Sequence, residues 1–135
     1  MKYNHLFCIA RIHNPQLIQR AKNENCPLDY FQYDLTKSSG IAELINGVFN
    51  KIDLDKAKKI YLFNNAGMVE PIKPVEKCTS DEIEKAIKVN LIGPMVITSA
   101  YLANTENVNC DKKIINIFKE QGNLRDPKFI AQKLI

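Results

Sequence analysis

Lys58-Lys-Ile-Tyr-Leu-Phe-Asn-Asn-Ala-Gly67 is the stretch on which the reading of this chain turns. Ile60 to Phe63 is a short apolar run of β-branched and aromatic residues, with lysines ahead and a polar turn behind. That pattern predicts a buried strand. Asn64, Asn65, Ala66 and Gly67 close it with residues that tolerate unusual dihedrals, and Gly67 lets backbone come close to a ligand. In an open α/β sheet, ligands bind at the carboxyl ends of strands. Taken by itself, though, a polar turn after a strand is usually only a turn.

Working outward, His5-Leu-Phe-Cys-Ile-Ala10 is a nearly continuous apolar run, as in a strand buried on both faces of a parallel sheet. Arg11 stands at its carboxyl end. Asn14-Pro15 predicts a helix start, a cap followed by Pro at the first helical position. Leu17, Ile18 and Ala21 give that helix an apolar face, and Asn23 to Pro27 ends it. Leu28 to Tyr33 predicts a second strand, closing in Asp34-Leu35. Ser38 or Ser39 is a candidate cap for a helix in which Ile41, Leu44, Ile45 and Val48 recur at helical spacing.

Beyond the organising strand, Glu70 to Lys77 carries two prolines and reads as a loop. Thr79-Ser-Asp-Glu82 is a capping box. The helix it opens runs to about Tyr101, with Ile83, Ala86, Ile87, Asn90 and Leu91 on one stripe and a bend expected at Gly93-Pro94. Lys113-Ile-Ile-Asn-Ile117 predicts a last strand, and Asp126-Pro127 starts a final helix. Strands alternating with helices predict the α/β class, as an incomplete Rossmann-like parallel sheet of about four strands flanked by helices. A length of 135 residues suits a single domain spanning residues 1–135.

The composition, 45% apolar and 25% charged, is that of an ordinary soluble protein. A net charge of +4 from scattered lysines makes no basic patch, so no nucleic-acid partner is expected. No apolar run approaches the length of a membrane helix, and the N-terminus lacks a signal-peptide pattern, so no membrane partner is expected. Cys8, Cys26, Cys78 and Cys110 are widely spaced, with no CxxC or Cys/His cluster. They read as reduced thiols in a cytoplasmic protein, and no metal site is expected.

Asn64-Asn-Ala-Gly67 behind a strand, the helix after it, and Val89-Asn90-Leu-Ile-Gly-Pro inside that helix together resemble the short-chain dehydrogenase/reductase family over roughly Leu28 to Tyr101. His5-Leu-Phe-Cys-Ile-Ala-Arg and Gly67-Met-Val-Glu-Pro-Ile resemble its bacterial sepiapterin reductase or benzil reductase branch, which reduces carbonyls with NADPH. The resemblance implies that Arg11 meets the 2′-phosphate of NADP through a guanidinium–phosphate pair; the alternative is a surface arginine. It implies that Asp34 and Leu35 sit at the adenine. Asn64, Asn65, Ala66 and Gly67 would line the nicotinamide-side ribose, and Asn90 would hold a water in a proton relay.

The departures from the family pattern bear on activity. The family opens with a strand, a TGxxxGxG turn and a helix whose N-terminus faces the pyrophosphate. The five glycines here, Gly40, Gly47, Gly67, Gly93 and Gly122, make no such turn. The first predicted strand corresponds to the family's second, so strand one, the phosphate loop and helix one are expected to be missing. After Ile117 the family continues into a Ser and a helix carrying YxxxK. Phe118 to Ile135 resembles instead the family's last helix and its approach. One formal YxxxK exists, Tyr33 to Lys37, but Tyr33 ends a strand, and the pair needs one helix face. Tyr101 has Thr105, not Lys, four residues on.

The resemblance therefore implies an NADP-dependent carbonyl oxidoreductase by descent, acting in the parent family on small-molecule carbonyls. Cofactor binding is expected to be weakened and catalysis impaired or lost. The alternative is a non-catalytic interaction protein that pairs through Thr79–Tyr101 into a homo- or hetero-oligomer. A nucleotide binder of flavodoxin-like strand order is a third reading, and no phosphate-cradling loop supports it. A sheet without its centre strand either brings His5–Ala10 directly beside Ile60–Phe63 or leaves edges unpaired. Closure of the gap is the expectation, with marginal stability and a tendency to oligomerise.

Overall fold

The computed structural model of the chain describes residues 4–116. The expected Ile117 end of the last strand and the helix from Asp126 lie outside that range. Strand β1 (Leu6–Ala10) and strand β2 (Leu28–Gln32) pair in parallel, Leu6 opposite Leu28 and Ala10 opposite Gln32. Helix α1 (Pro15–Asn23) makes the crossover. Its start follows the sequence signal: the Asn14 side chain accepts the Leu17 N–H at 3.0 Å, and Pro15 has no N–H to satisfy. The chain leaves α1 through Asn25, which sits in the left-handed region at a φ of 52°.

Helix α2 (Ile41–Phe49) is entered through a 3₁₀ turn at Ser38–Gly40. Gly40 stands at the cap position with no side-chain hydrogen bond, so neither Ser38 nor Ser39 caps the helix. The backbone does the work instead, with the Gly40 N–H bonded to Lys37 and the Ile41 N–H to Ser38. A side-chain cap is redundant where a 3₁₀ turn already takes up the first donors.

Strand β3 (Lys59–Asn64) and strand β4 (Asp111–Asn116) also pair in parallel, with Lys59 opposite Asp111 and Asn64 opposite Asn116. Between them lies helix α3 (Ser80–Ile87), whose capping box is complete: Glu82 N–H donates to Thr79 Oγ1 at 3.3 Å, and Thr79 N–H to Glu82 Oε2 at 2.9 Å. The helix passes through one π turn, Lys88–Ile92, into helix α4 (Gly93–Thr105). Pro94 accounts for the irregularity. It has no N–H for the Asn90 carbonyl four residues back, and the Gly93 N–H reaches five residues back to Lys88.

Ser80–Thr105 runs 26 residues with a mean hydropathy of 1.4 over its most apolar window, long and apolar enough by those measures to cross a membrane. This corrects the expectation that no apolar stretch approaches that length. The reason is that its charges sit in the first turns, through Lys88, leaving Val89 to Thr105 uncharged. One stripe of that segment, Gly93, Ile97, Ala100, Tyr101 and Thr105, is buried inside the protein.

The core is one cluster of Leu35, Ile41, Ile45, Phe49, Ile60, Ile97, Ala100 and Tyr101, with Ile9, Leu62 and Ile114 packed against it. The cluster draws on α2, α4, β3 and the turn after β2, and Ile9 of β1 packs against it. The two strand pairs do not merge into a single sheet. The described strands form two two-stranded sheets, β1–β2 and β3–β4, and the expected closure of β1 onto β3 is absent. The anchoring explains this. Ile9 of β1 and Ile60 and Leu62 of β3 each bury apolar surface in the same core cluster, so both strands satisfy their apolar faces without pairing edge to edge.

Candidate functional site

The carboxyl ends of β1 and β2 bring together Arg11 and Asp34. The Gln32 side chain donates to the Arg11 carbonyl at 3.1 Å, tying the segment after β1 to the end of β2. Asp34 Oδ1 accepts the Thr36 N–H at 2.9 Å and the Thr36 hydroxyl at 2.8 Å, the self-contained turn that a short acidic side chain makes with residues just ahead. Those two bonds, backbone first, with the charges of Arg11 and Lys37 nearby, hold the Asp34 carboxyl below its ordinary range. Arg11 is exposed and borders an open cleft of about 490 Å³ between the end of β1, the first turn of α1 and Tyr30. Tyr30 closes one wall, donating its hydroxyl to the Ile12 carbonyl at 2.6 Å, with the His13 ring edge-on at 5.7 Å. Leu35 is different: its side chain is buried in the core, where it fills the space a side chain at Gly93 would occupy.

The carboxyl ends of β3 and β4 bring together a second group. Asn64 and Asn116 face each other in the ladder, and Asn64 Nδ2 donates to Asn116 Oδ1 at 2.9 Å and to Thr98 Oγ1 at 3.1 Å. Asn65 and Ala66 are exposed, and Gly67 is half-buried. Immediately after Gly67, the Met68 N–H donates to Asn90 Oδ1 at 2.7 Å while Asn90 Nδ2 donates to the Met68 carbonyl at 2.8 Å. The Asn90 amide thus joins the loop behind the Asn-Asn-Ala-Gly turn to the π turn of the long helix. The Arg11–Asp34 group follows the carboxyl ends of β1 and β2 and the Asn64–Asn90 group that of β3, on strands of two separate sheets.

Thr98 and Asn116 belong to this arrangement although the sequence reading did not single them out. A signal existed for both. Thr98 lies eight residues beyond Asn90, on the same side of the helix, and Asn116 ends a strand parallel to the one ended by Asn64.

The four described tyrosines are all engaged. Tyr30 bonds the Ile12 carbonyl, Tyr33 the Lys37 carbonyl at 2.5 Å, Tyr61 the Asp111 carboxylate at 3.1 Å, and Tyr101 the Ile60 carbonyl at 2.5 Å. Tyr101 is only 3% exposed, and burial pushes its phenol up from the ordinary value. Thr105, where a lysine would be needed, turns its hydroxyl back onto the Tyr101 carbonyl at 2.9 Å. The described glycines are similarly accounted for. A Cβ at Gly40 would meet the Tyr33 hydroxyl at 2.3 Å, one at Gly93 would meet the Lys88 carbonyl oxygen at 3.1 Å, and Gly47 lies within α2. Gly67 is the one described glycine at the carboxyl end of a strand.

Comparison with known proteins agrees with this geometry. The family model for short chain dehydrogenases matches residues 2–131. The chain is 31% identical over 121 residues to a benzil reductase ((S)-benzoin forming) of Bacillus cereus, covering 90% of this chain and 48% of that protein. A benzil reductase of the same description from Bacillus subtilis (strain 168) is 27% identical over 114 residues, 83% of this chain and 47% of its own length. The chain thus spans about half the length of the curated relatives it matches. Among solved structures, a metagenomic short-chain oxidoreductase in complex with NADP superposes with a TM-score of 0.75 at 22% identity, over 90% of this chain and 53% of the other. With its parallel strands, its strand-end Asn-Asn-Ala-Gly turn and a family match over nearly its whole length, the chain belongs to the short-chain dehydrogenase/reductase family.

Proposed function

We propose that this single-domain, cytoplasmic chain is an NADP-type carbonyl oxidoreductase by descent that carries part of the dinucleotide-binding surface and turns over little or no substrate on its own. The observation that carries the reading is the state of the phenols. Carbonyl reduction needs a hydroxyl that hands its proton to the substrate oxygen while hydride arrives. Each described tyrosine hydroxyl is already bonded within the protein; Tyr33, which has Lys37 four residues on, follows a strand and not a helix turn, and Tyr101, the described tyrosine within a helix, has Thr105 there.

The fit to the cofactor is partial. Arg11 is exposed beside its cleft and suits a phosphate ester, since guanidinium binds phosphate through two parallel hydrogen bonds. Asp34 and the backbone of Leu35 stand next to it for the adenine, the Leu35 side chain being committed to the core. Asn64, Asn65, Ala66 and Gly67 offer amide and backbone groups toward a ribose, and Asn90 steadies that loop through Met68. For the pyrophosphate, the described glycines provide no clustered turn. A bound NADPH would supply hydride; the chain's own residues would orient its two ends and hold them less tightly than a complete site does.

The bacterial relatives carry the name benzil reductase, which makes an aromatic diketone the carbonyl to try first. The test is titration of the chain with NADPH, followed by nucleotide fluorescence, with benzil added afterwards. Saturable binding in the high-micromolar range without nucleotide oxidation is expected. Steady oxidation on adding benzil overturns the inactive reading, and no binding at millimolar NADPH overturns the cofactor reading.

A second reading is favoured by a different observation. Ile83, Ile87, Leu91, Met95 and Leu102 are large apolar residues between 40% and 62% exposed, along one continuous α3–α4 helix. Such a stripe fits a helix partner, and the chain then acts by pairing through Thr79–Tyr101 with another copy or a longer relative. Sedimentation equilibrium decides it: a monomer at tens of micromolar that also ignores a co-expressed full-length relative removes this reading.

A further inference from the structure

The segment that follows β1 is pinned at successive points. Gln32 Nε2 donates to the Arg11 carbonyl at 3.1 Å, the Tyr30 hydroxyl donates to the Ile12 carbonyl at 2.6 Å, and the Asn14 side chain accepts the Leu17 N–H at 3.0 Å. Each anchor comes from β2 or α1, elements set by their own pairing and capping. The bonds use backbone carbonyls and the helix cap, so the side chains of Arg11 and His13 take no part in fixing the segment.

Both of those side chains are exposed, and both line the cleft of about 490 Å³ at the end of β1. Among the described residues, the eight that line it include these two basic groups and no carboxylate. The carboxylate whose charge reaches Arg11, that of Asp34, is bonded into its own turn through Thr36. A lining of one sign, with a volume in the range of small-ligand sites, suits an anionic group on an organic molecule. The His13 ring rests against Tyr30, with ring centres 5.7 Å apart and planes at 71°. Tyr30 thus sets both the path of the segment, through Ile12, and the place of the imidazole.

A phosphate monoester presents three strong acceptor oxygens. A guanidinium fork engages two of them through parallel hydrogen bonds. The third calls for a separate donor, and imidazole carries an N–H in both its neutral and its protonated form. We propose that His13 is that donor, binding the same phosphate monoester as Arg11 from across the cleft. The inference rests on the assignment of Arg11 to the 2′-phosphate of NADP made above, and it makes His13 a second residue by which the chain tells NADPH from NADH.

The test measures the NADPH and NADH dissociation constants of the 135-residue chain by nucleotide fluorescence, in the parent and in His13→Phe, His13→Arg and Arg11→Gln. His13→Phe keeps a ring to rest on Tyr30 and removes both nitrogens. It is expected to weaken NADPH at least about fivefold and to leave NADH within about twofold. His13→Arg restores a donor and is expected to bring NADPH back to within about threefold of the parent. Adenosine 2′-monophosphate is expected to displace NADPH from the parent, and to bind His13→Phe more weakly. A selective loss of NADPH in Arg11→Gln with none in His13→Phe overturns the role of His13 alone. Equal loss of both nucleotides in His13→Phe marks a packing effect and overturns it too. If Arg11→Gln weakens the two nucleotides equally, or NADPH does not bind saturably, the 2′-phosphate assignment falls and His13 falls with it.

Discussion

Asn90 grips the backbone of Met68 at two points, its Oδ1 accepting the N–H at 2.7 Å and its Nδ2 donating to the carbonyl at 2.8 Å. A side-chain amide used in this way imitates one rung of a sheet, and it fastens the loop after Gly67 to the helix where that helix is irregular. Replacing Asn90 by Ala removes both bonds. The expected cost is about 1 kcal/mol in a urea titration, with faster exchange of the Met68 amide. Asn90→Asp is expected to cost at least as much, because it sets a carboxylate against the Met68 carbonyl. An unchanged Met68 exchange rate in Asn90→Ala would show that the clasp does not restrain the loop.

Gly40 and Tyr33 are coupled sterically. An added methyl at Gly40 meets the Tyr33 hydroxyl at 2.3 Å, which is too close, so the ring must swing and give up its bond to the Lys37 carbonyl. Gly40→Ala is expected to cost about 1–2 kcal/mol. In the Tyr33→Phe background the same change is expected to cost less. A double-mutant cycle measures the difference, and strict additivity would rule out the contact.

The Tyr101 phenol, raised chiefly by burial, predicts how the fold responds to alkali. Below the unfolded-state value of about 10 the group is neutral in both states and its contribution is fully present. As pH rises above that value the unfolded chain loses the proton first, so stability falls until the folded phenol also ionises. Tyr101→Phe is expected to flatten the stability–pH slope above pH ~10 while costing about 1 kcal/mol at neutral pH through loss of the bond to Ile60. Equal alkaline slopes in the two proteins would contradict this.

Asp34 works in the opposite sense. Thr36 holds its carboxyl below the ordinary range, so its contribution is present above the unfolded value of about 3.9 and is lost as pH falls through the lower folded value. Thr36→Val removes the hydroxyl donor and keeps the amide. The carboxyl carbon of Asp34, followed by NMR, is then expected to titrate at higher pH than in the parent protein. No movement would mean that the hydroxyl does not contribute.

Arg11 borders its cleft exposed, so its removal is expected to act on ligand binding and not on folding. Arg11→Gln should weaken NADPH by about tenfold or more, the loss of a charged hydrogen-bonded pair, and leave NADH unchanged. Equal weakening of the two nucleotides would place Arg11 away from the 2′-phosphate.

Much of this was legible along the chain because it is local. Asn14 before Pro15 and Thr79 three residues ahead of Glu82 cap helices by reaching a few atoms away, and both caps form as their spacing requires. The parallel α/β class followed from alternating apolar runs and helical stripes, and the strands lie within a residue or two of those runs. The family was legible from the turn at Asn64–Gly67 and from Asn90. Three things were not. Ser38 and Ser39 lost their capping role to a 3₁₀ turn, Thr98 and Asn116 joined the site from distant positions, and β1 stayed apart from β3.

By itself, then, the sequence determined the helices, the strands and the kind of protein, since propensity, capping and periodicity act over neighbouring residues. Only the tertiary structure decided that Leu35 and Tyr101 belong to the core, that Asn90 spends its amide on Met68, and that the described strands form two separate sheets. Those outcomes depend on which apolar surfaces meet across long loops, a competition between packing and backbone pairing that no short stretch of chain contains.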